Sequence, residues 1–100
     1  MKTLLLLVTY TVKAGARENF LKEVVDSGLL ETIRREEGCL SYRYFLEAED
    51  PQCLLLVEKW ATERQQQAHL ERPHMRHLAE IKARWIERTS IERIYIEEGD

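Results

Sequence analysis

Little in this chain breaks or staples a fold. Its 100 residues include two cysteines, two prolines and four glycines. Two thiols are too few for the disulfide frameworks that hold small secreted domains together. The scarcity of glycine and proline excludes collagen-like and linker-like sequence. A basic excess is missing as well: 15 lysines and arginines against 18 aspartates and glutamates give a net charge of -3. No phosphate-binding face, and so no nucleic-acid partner, is expected. No apolar run is long enough to cross a bilayer, so no membrane partner is expected either. Internal repeats, G-x-G-x-x-G, a P-loop and C-x-x-C are all absent from the sequence, and neither a cofactor nor a metal is expected.

What is present is 44% hydrophobic and 33% charged residues, the balance of a soluble globular protein. At this length residues 1–100 are expected to form one domain, burying about two thirds of the unfolded chain's surface. The opening MKTLLLLVTYTVKAGA has the outline of a secretory signal, with a lysine, an apolar run and Ala14-Gly15-Ala16. Thr9, Tyr10, Thr11 and Lys13 interrupt that run, so the segment reads as a strand. Cys39 and Cys53 begin the two strands of an expected hairpin and lie about seven steps apart along it, roughly 23 Å at 3.3 Å per step. A disulfide needs Cα atoms within about 7 Å. Both are expected as free thiols, which suits a reducing cytoplasm.

The elements follow from periodicity. Leu4 to Val12 is apolar on both faces, as in a strand covered on both sides. Ala16 to Glu37 reads as a helix, with a slip in its apolar spacing at Ser27-Gly28 where a kink is expected. Gly38 ends it as a left-handed cap. Cys39 to Glu47 alternates, with Leu40, Tyr42, Tyr44 and Leu46 on one face and Ser41, Arg43 and Phe45 on the other. Asp50-Pro51 turns the chain into a second strand, Gln52 to Trp60, making a hairpin. Thr62 and Gln65 form a capping box for a helix that should stop near Glu71, before Pro73. Pro73 opens a further helical segment whose His74, Leu78, Ile81 and Trp85 make a buried stripe. Thr89 to Glu97 reads as a last strand.

Strand, helix, strand, strand, helix, strand is the ferredoxin-like βαββαβ arrangement, an α+β fold with a four-stranded antiparallel sheet and both helical layers on one face. The other face, also apolar, would be bare in a single chain. A homodimer packed sheet against sheet is therefore expected.

Glu36-Glu37-Gly38-Cys39-Leu40-Ser41-Tyr42 at the end of the first helix and Glu58-Lys59-Trp60 closing the third strand are followed by His69, nine residues after the tryptophan, and by Pro73-His74. In these features, and over residues 2–96, the chain resembles the antibiotic biosynthesis monooxygenase family of dimeric α/β barrels. The resemblance implies a small homodimer with a pocket in each subunit between sheet and helices. Members of that family include cofactor-independent oxygenases of quinols and polycyclic phenols, haem-degrading enzymes, and an isomerase acting on a phosphorylated signalling sugar derivative. The haem-degrading branch uses an asparagine on the first strand, and a tryptophan, at the position matching His69, and a haem-ligating histidine on the second helix. Here Thr9, Tyr10 and Thr11 stand on the first strand and His69 on the helix, which disfavours haem.

His69 is the first candidate for a base. Its helix, Glu63 to Leu70, has almost no apolar stripe, as if it docked around a polar cavity, and a neutral imidazole accepts protons near pH 7. Glu58 alternates with Leu54, Leu56 and Trp60 on a mainly apolar face and needs a partner. Arg43 or Ser41 on the neighbouring strand could supply it, as could His69, whose tautomer such a contact would fix. Trp60, Tyr42, His74 and Arg43 are the candidate substrate-binding residues. His74 reads more readily as a satisfied core residue, and Trp60, Tyr42, Tyr44, Tyr10 and Phe45 as core or interface residues of which one or two could line a ring-shaped substrate. A metal at His74, His77 and Glu80 is not expected, because the stripe turns the first inward and the others to solvent. The function expected is cofactor-independent monooxygenation of a small electron-rich aromatic such as a quinol. The competing readings are an isomerase or lyase using the same base, and a non-catalytic ligand-binding stress-response protein.

Overall fold

The computed structural model describes residues 2–97. The elements are β1 (Lys2–Val12), α1 (Arg17–Asp26), α2 (Leu29–Arg34), β2 (Cys39–Leu46), β3 (Cys53–Trp60), α3 (Glu63–Leu70), α4 (His74–Trp85) and β4 (Ile86–Glu97). The strands form one antiparallel sheet in the order β2-β3-β1-β4. This is the ferredoxin-like α+β fold expected, with each helical layer divided in two.

The first division falls where the apolar spacing slips. Gly28 takes φ +79°, a conformation that costs glycine little and other residues more. The Ser27 hydroxyl donates to Val24 O and accepts from Leu29 N, closing one helix and opening the next. The kink expected in one helix is thus a full break between two. The second division is at Arg72-Pro73, as the proline requires.

One core joins the layers. Leu4, Leu6, Val8 and Tyr10 of β1 and Leu54, Leu56 and Trp60 of β3 meet Phe20, Val24, Leu29, Ile33, Leu78 and Ile81 from α1, α2 and α4. The intervening Leu5, Leu7, Leu55 and Val57 point to the opposite face, are only partly buried, and have no helix over them. α3 presents Gln66 and His69 inward instead of an apolar stripe.

Two details differ from expectation. Leu40 does not share the face of Tyr42, Tyr44 and Leu46: a bulge between Cys39 and Ser41 shifts the register, pairing Cys39 with Trp60 and Tyr42 with Glu58. Leu40 is the extra residue and is exposed, as bulged residues leave the ladder. The last strand begins at Ile86, not Thr89. Trp85 O already accepts from Lys13 N at 2.8 Å, so α4 passes into β4 with no connecting loop.

Candidate functional site

Three segments converge on His69. Thr62 Oγ1 accepts from Gln65 N at 3.1 Å and starts α3, which sets Gln66 and His69, three residues apart, on its inner face. Glu36 follows α2, its N–H bonded to Ile33 O. Gly38, at φ +86°, then turns the chain into β2, and its carbonyl accepts from Ala61 N at the end of β3. His74 opens α4 immediately after Pro73.

The Glu36 carboxylate lies between the two imidazoles. His69 Nδ1 is 2.9 and 3.1 Å from its two oxygens, and His74 Nε2 is 2.7 Å from Oε2. The side chains of His69 and Glu36 are 2% and 5% exposed, and that of His74 22%. The cluster thus runs from the interior to the surface. The His69 ring lies against Trp60 at a tilt of 37° with centroids 4.7 Å apart and meets Tyr42 edge-on at 5.8 Å.

A second polar group lies on the same sheet face. Glu58 is buried and accepts from Trp60 Nε1 at 3.0 Å. Burial pushes its carboxyl up, while the Trp60 hydrogen bond and its electrostatic contacts with His69 and Lys82 pull it back. Burial also raises the phenols of Tyr10, Tyr42 and Tyr44, with Glu58 adding to each. Those phenols are neutral at pH 7. Lys82 reaches over the Tyr10 ring, and burial lowers its ammonium against the pull of Glu58. The Tyr44 hydroxyl is buried without a hydrogen-bond partner among the described residues.

The expected residues therefore separate. His69, Glu58, Trp60 and Tyr42 are brought together on the helix-covered face, with His74 at its margin. Arg43 is not among them. It pairs with Val57, Ser41 pairs with Lys59, and both point to the opposite face, because side chains alternate along a strand. Neither is the partner of Glu58. The Arg43 guanidinium lies over the Phe45 ring instead. His69 is not the hydrogen-bond partner of Glu58 either: Trp60 is, two residues on. The sequence gives no sign that Glu36 and Lys82 belong to the site. A buried histidine requires a partner, and that rule points at an acidic residue without saying which.

Two clefts open nearby. One of about 320 Å³ is lined by Thr32, Arg35, Glu36, Glu37, Arg72, Pro73 and His74. The other, about 330 Å³, lies at the β2 bulge between Arg34, Tyr42 and Arg43. Neither is lined by His69 or Glu58, whose surroundings are filled by Trp60, Tyr42 and Glu36. The hollow expected beneath the helices is closed around His69 in the single chain. Among the described residues no group of three histidine, cysteine, aspartate or glutamate side chains is arranged to hold a metal ion. No helix there is long and apolar enough to cross a membrane.

A family model for antibiotic biosynthesis monooxygenase matches residues 3–81. The chain belongs to that family. Solved structures agree in fold. A Pseudomonas aeruginosa protein, PA3566, is 21% identical, with 98% of this chain and 97% of that one covered and a TM-score of 0.84. A protein from Nitrosomonas europaea, named as a candidate antibiotic biosynthesis monooxygenase, is 24% identical over 96% of this chain and 89% of its own, with a TM-score of 0.79. One from Bacteroides thetaiotaomicron, described as a candidate oxidoreductase, is 21% identical over 95% and 98%, with a TM-score of 0.82. At these identities the likeness is one of fold. A comparison with curated proteins gives no match.

Proposed function

We propose that this member of the antibiotic biosynthesis monooxygenase family is a cofactor-independent oxidoreductase, inserting one oxygen atom into a small electron-rich aromatic such as a quinol, with His69 as general base. The observation that carries the reading is a buried imidazole held through Nδ1 by the Glu36 carboxylate, which leaves Nε2 as the nitrogen to take a proton. The chemistry balances without an added reductant. His69 Nε2 takes a phenolic proton, and the phenolate passes an electron to dioxygen. The two radicals join at a ring carbon as a peroxide. That carbon then loses its hydrogen as a proton, the O–O bond breaks, and one oxygen stays while the other leaves as water. The quinol supplies all four electrons that dioxygen accepts and becomes a hydroxyquinone.

Trp60 and Tyr42 offer the flat apolar surfaces a ring would stack against, and the buried Glu58 carboxyl could meet a second hydroxyl. Because the packing around His69 is closed, the guest must part these side chains to enter, and the site then excludes water from the radical pair.

A homodimer is part of the same proposal. Leu5, Leu7, Leu55 and Val57 form an apolar sheet face with no helix over it, and such a face is unfavourable to leave wet. Cytoplasmic residence is supported by the unpaired Cys39 and Cys53. Light scattering at micromolar concentration should give twice the chain mass.

The decisive measurement is oxygen uptake across a panel of quinols, with mass spectrometry of products formed under labelled oxygen. One label per product is expected, and His69→Ala should be slower by about 10²- to 10⁴-fold, the usual worth of a general base. Equal rates for the two proteins would end the assignment of His69. Turnover that persists without oxygen would favour an isomerase using the same base.

A further inference from the structure

We infer that Glu36, itself clamped by His74, is the positioning residue that decides which nitrogen of His69 is available as a base. The inference rests on the proposed role of His69 in proton removal. An ionised carboxylate only accepts hydrogen bonds, so the nitrogens facing it, His69 Nδ1 and His74 Nε2, are the ones that carry protons. The lone pair of His69 is thereby confined to Nε2, on the ring edge turned away from Glu36.

His74 has a task of its own here. The Glu36 side chain is 5% exposed and that of His69 2%, so water is poorly placed to satisfy both carboxylate oxygens. Oε1 is served by His69 at 2.9 Å and Oε2 by His74 at 2.7 Å. Without His74, Oε2 loses its short donor in a space nearly closed to solvent, and an unpaired buried acceptor is costly. The carboxylate is then free to swing towards the groove, which releases its hold on the His69 tautomer. His74 can supply the donor because it begins α4 at the rim of the groove formed with Thr32, Arg35, Glu37 and Arg72. Its charged neighbours there, Arg35 and Arg72 against Glu37, are of mixed sign.

The tautomer can be read without turnover. In protein labelled with ¹⁵N-histidine, long-range proton–nitrogen correlation at pH 7.5 should give His69 as the Nδ1–H form in the wild type. In Glu36→Gln, which can donate as well as accept, it should give the Nε2–H form or a mixture. Kinetics with quinols should then show kcat falling at least a hundredfold in Glu36→Gln with KM within threefold. His74→Leu should lose at least tenfold in kcat, and His74→Gln, which keeps a donor, should recover most of that loss. An Nε2–H His69 in the wild type overturns the inference whatever the kinetics show. So does a Glu36→Gln variant as active as wild type when His69→Ala is inert. A wild type inert towards every quinol would instead remove the proposed function, leaving the tautomer to be decided by the spectra. Should Glu36→Gln fail to fold, the His74→Gln and His74→Leu pair carries the test: equal kcat and the same His69 tautomer in both would overturn it.

Discussion

Trp60 touches both candidate acid–base groups at once: its ring packs at a tilt against His69 with centroids 4.7 Å apart, and its Nε1 donates to Glu58 at 3.0 Å. One fully buried side chain therefore fixes the distance between the two groups. Any motion that opens the ring contact also loosens the carboxyl. Trp60→Phe keeps an aromatic face for His69 but removes the donor and leaves a void. Denaturant unfolding should show a loss of about 2–4 kcal/mol. A double-mutant cycle with Glu58→Leu, which removes the acceptor, should isolate roughly 1 kcal/mol for the hydrogen bond. A coupling near zero would mean that the Trp60–Glu58 contact does not stabilise the fold.

Glu58 makes stability depend on pH. Its carboxyl is raised by burial above the value it has in the unfolded chain. The folded state therefore holds that proton more tightly. The stabilisation is complete below the unfolded pKa and is lost as pH rises through the folded one. Glu58→Gln cannot ionise, so it should be more stable than wild type at pH 7 to 8. The gap should close towards pH 4. Parallel stability curves for the two proteins over that range would contradict this account.

Gly38 joins the Glu36 turn to β2. Its φ of +86° is one other residues rarely adopt, and a Cβ there would overlap the Gln65 side chain. Gly38→Ala should cost more than about 1 kcal/mol, from strain plus that overlap. Adding Gln65→Ala removes the Oε1 and Cδ overlaps but keeps the Gln65 Cβ contact, so it should recover only part of the loss. Full recovery would show that the backbone conformation is unimportant.

The guanidinium of Arg17 ties the far end of the hairpin to α1, donating to the carbonyls of Glu47, Asp50 and Cys53 at 2.9 to 3.1 Å. Arg17→Ala should lower stability by about 1–2 kcal/mol. Hydrogen exchange at the Cys53 amide, bonded to Asp50 O, should accelerate more than at the central strand β1. Uniform acceleration along the sheet would argue against a local latch.

Much of the fold is legible in the sequence because it is periodic. The alternation of Leu54, Leu56, Glu58 and Trp60 places all four on one face, and the missing apolar stripe of Glu63 to Leu70 marks a helix that docks through polar groups. What periodicity cannot give is which distant side chains meet. Glu36 precedes His69 by 33 residues and ends a helix in a pair of glutamates, where acidic residues are commonly just solvated. The bulge at Leu40 carries no glycine to announce it, yet it shifts the register beside Cys39. Arg43 is misplaced in the sequence reading for a related reason. Strand alternation rules it out as a partner of Glu58 only once the register is known.

The break at Gly28 has a consequence for how far this sequence can drift. α2 is a six-residue segment that delivers Glu36 just beyond its end, and each added helical residue swings the downstream chain by about 100°. An insertion ahead of Gly28 would be absorbed by the joint. The same insertion after it would aim the carboxylate away from both imidazoles, so tolerance to length change should switch abruptly at that glycine.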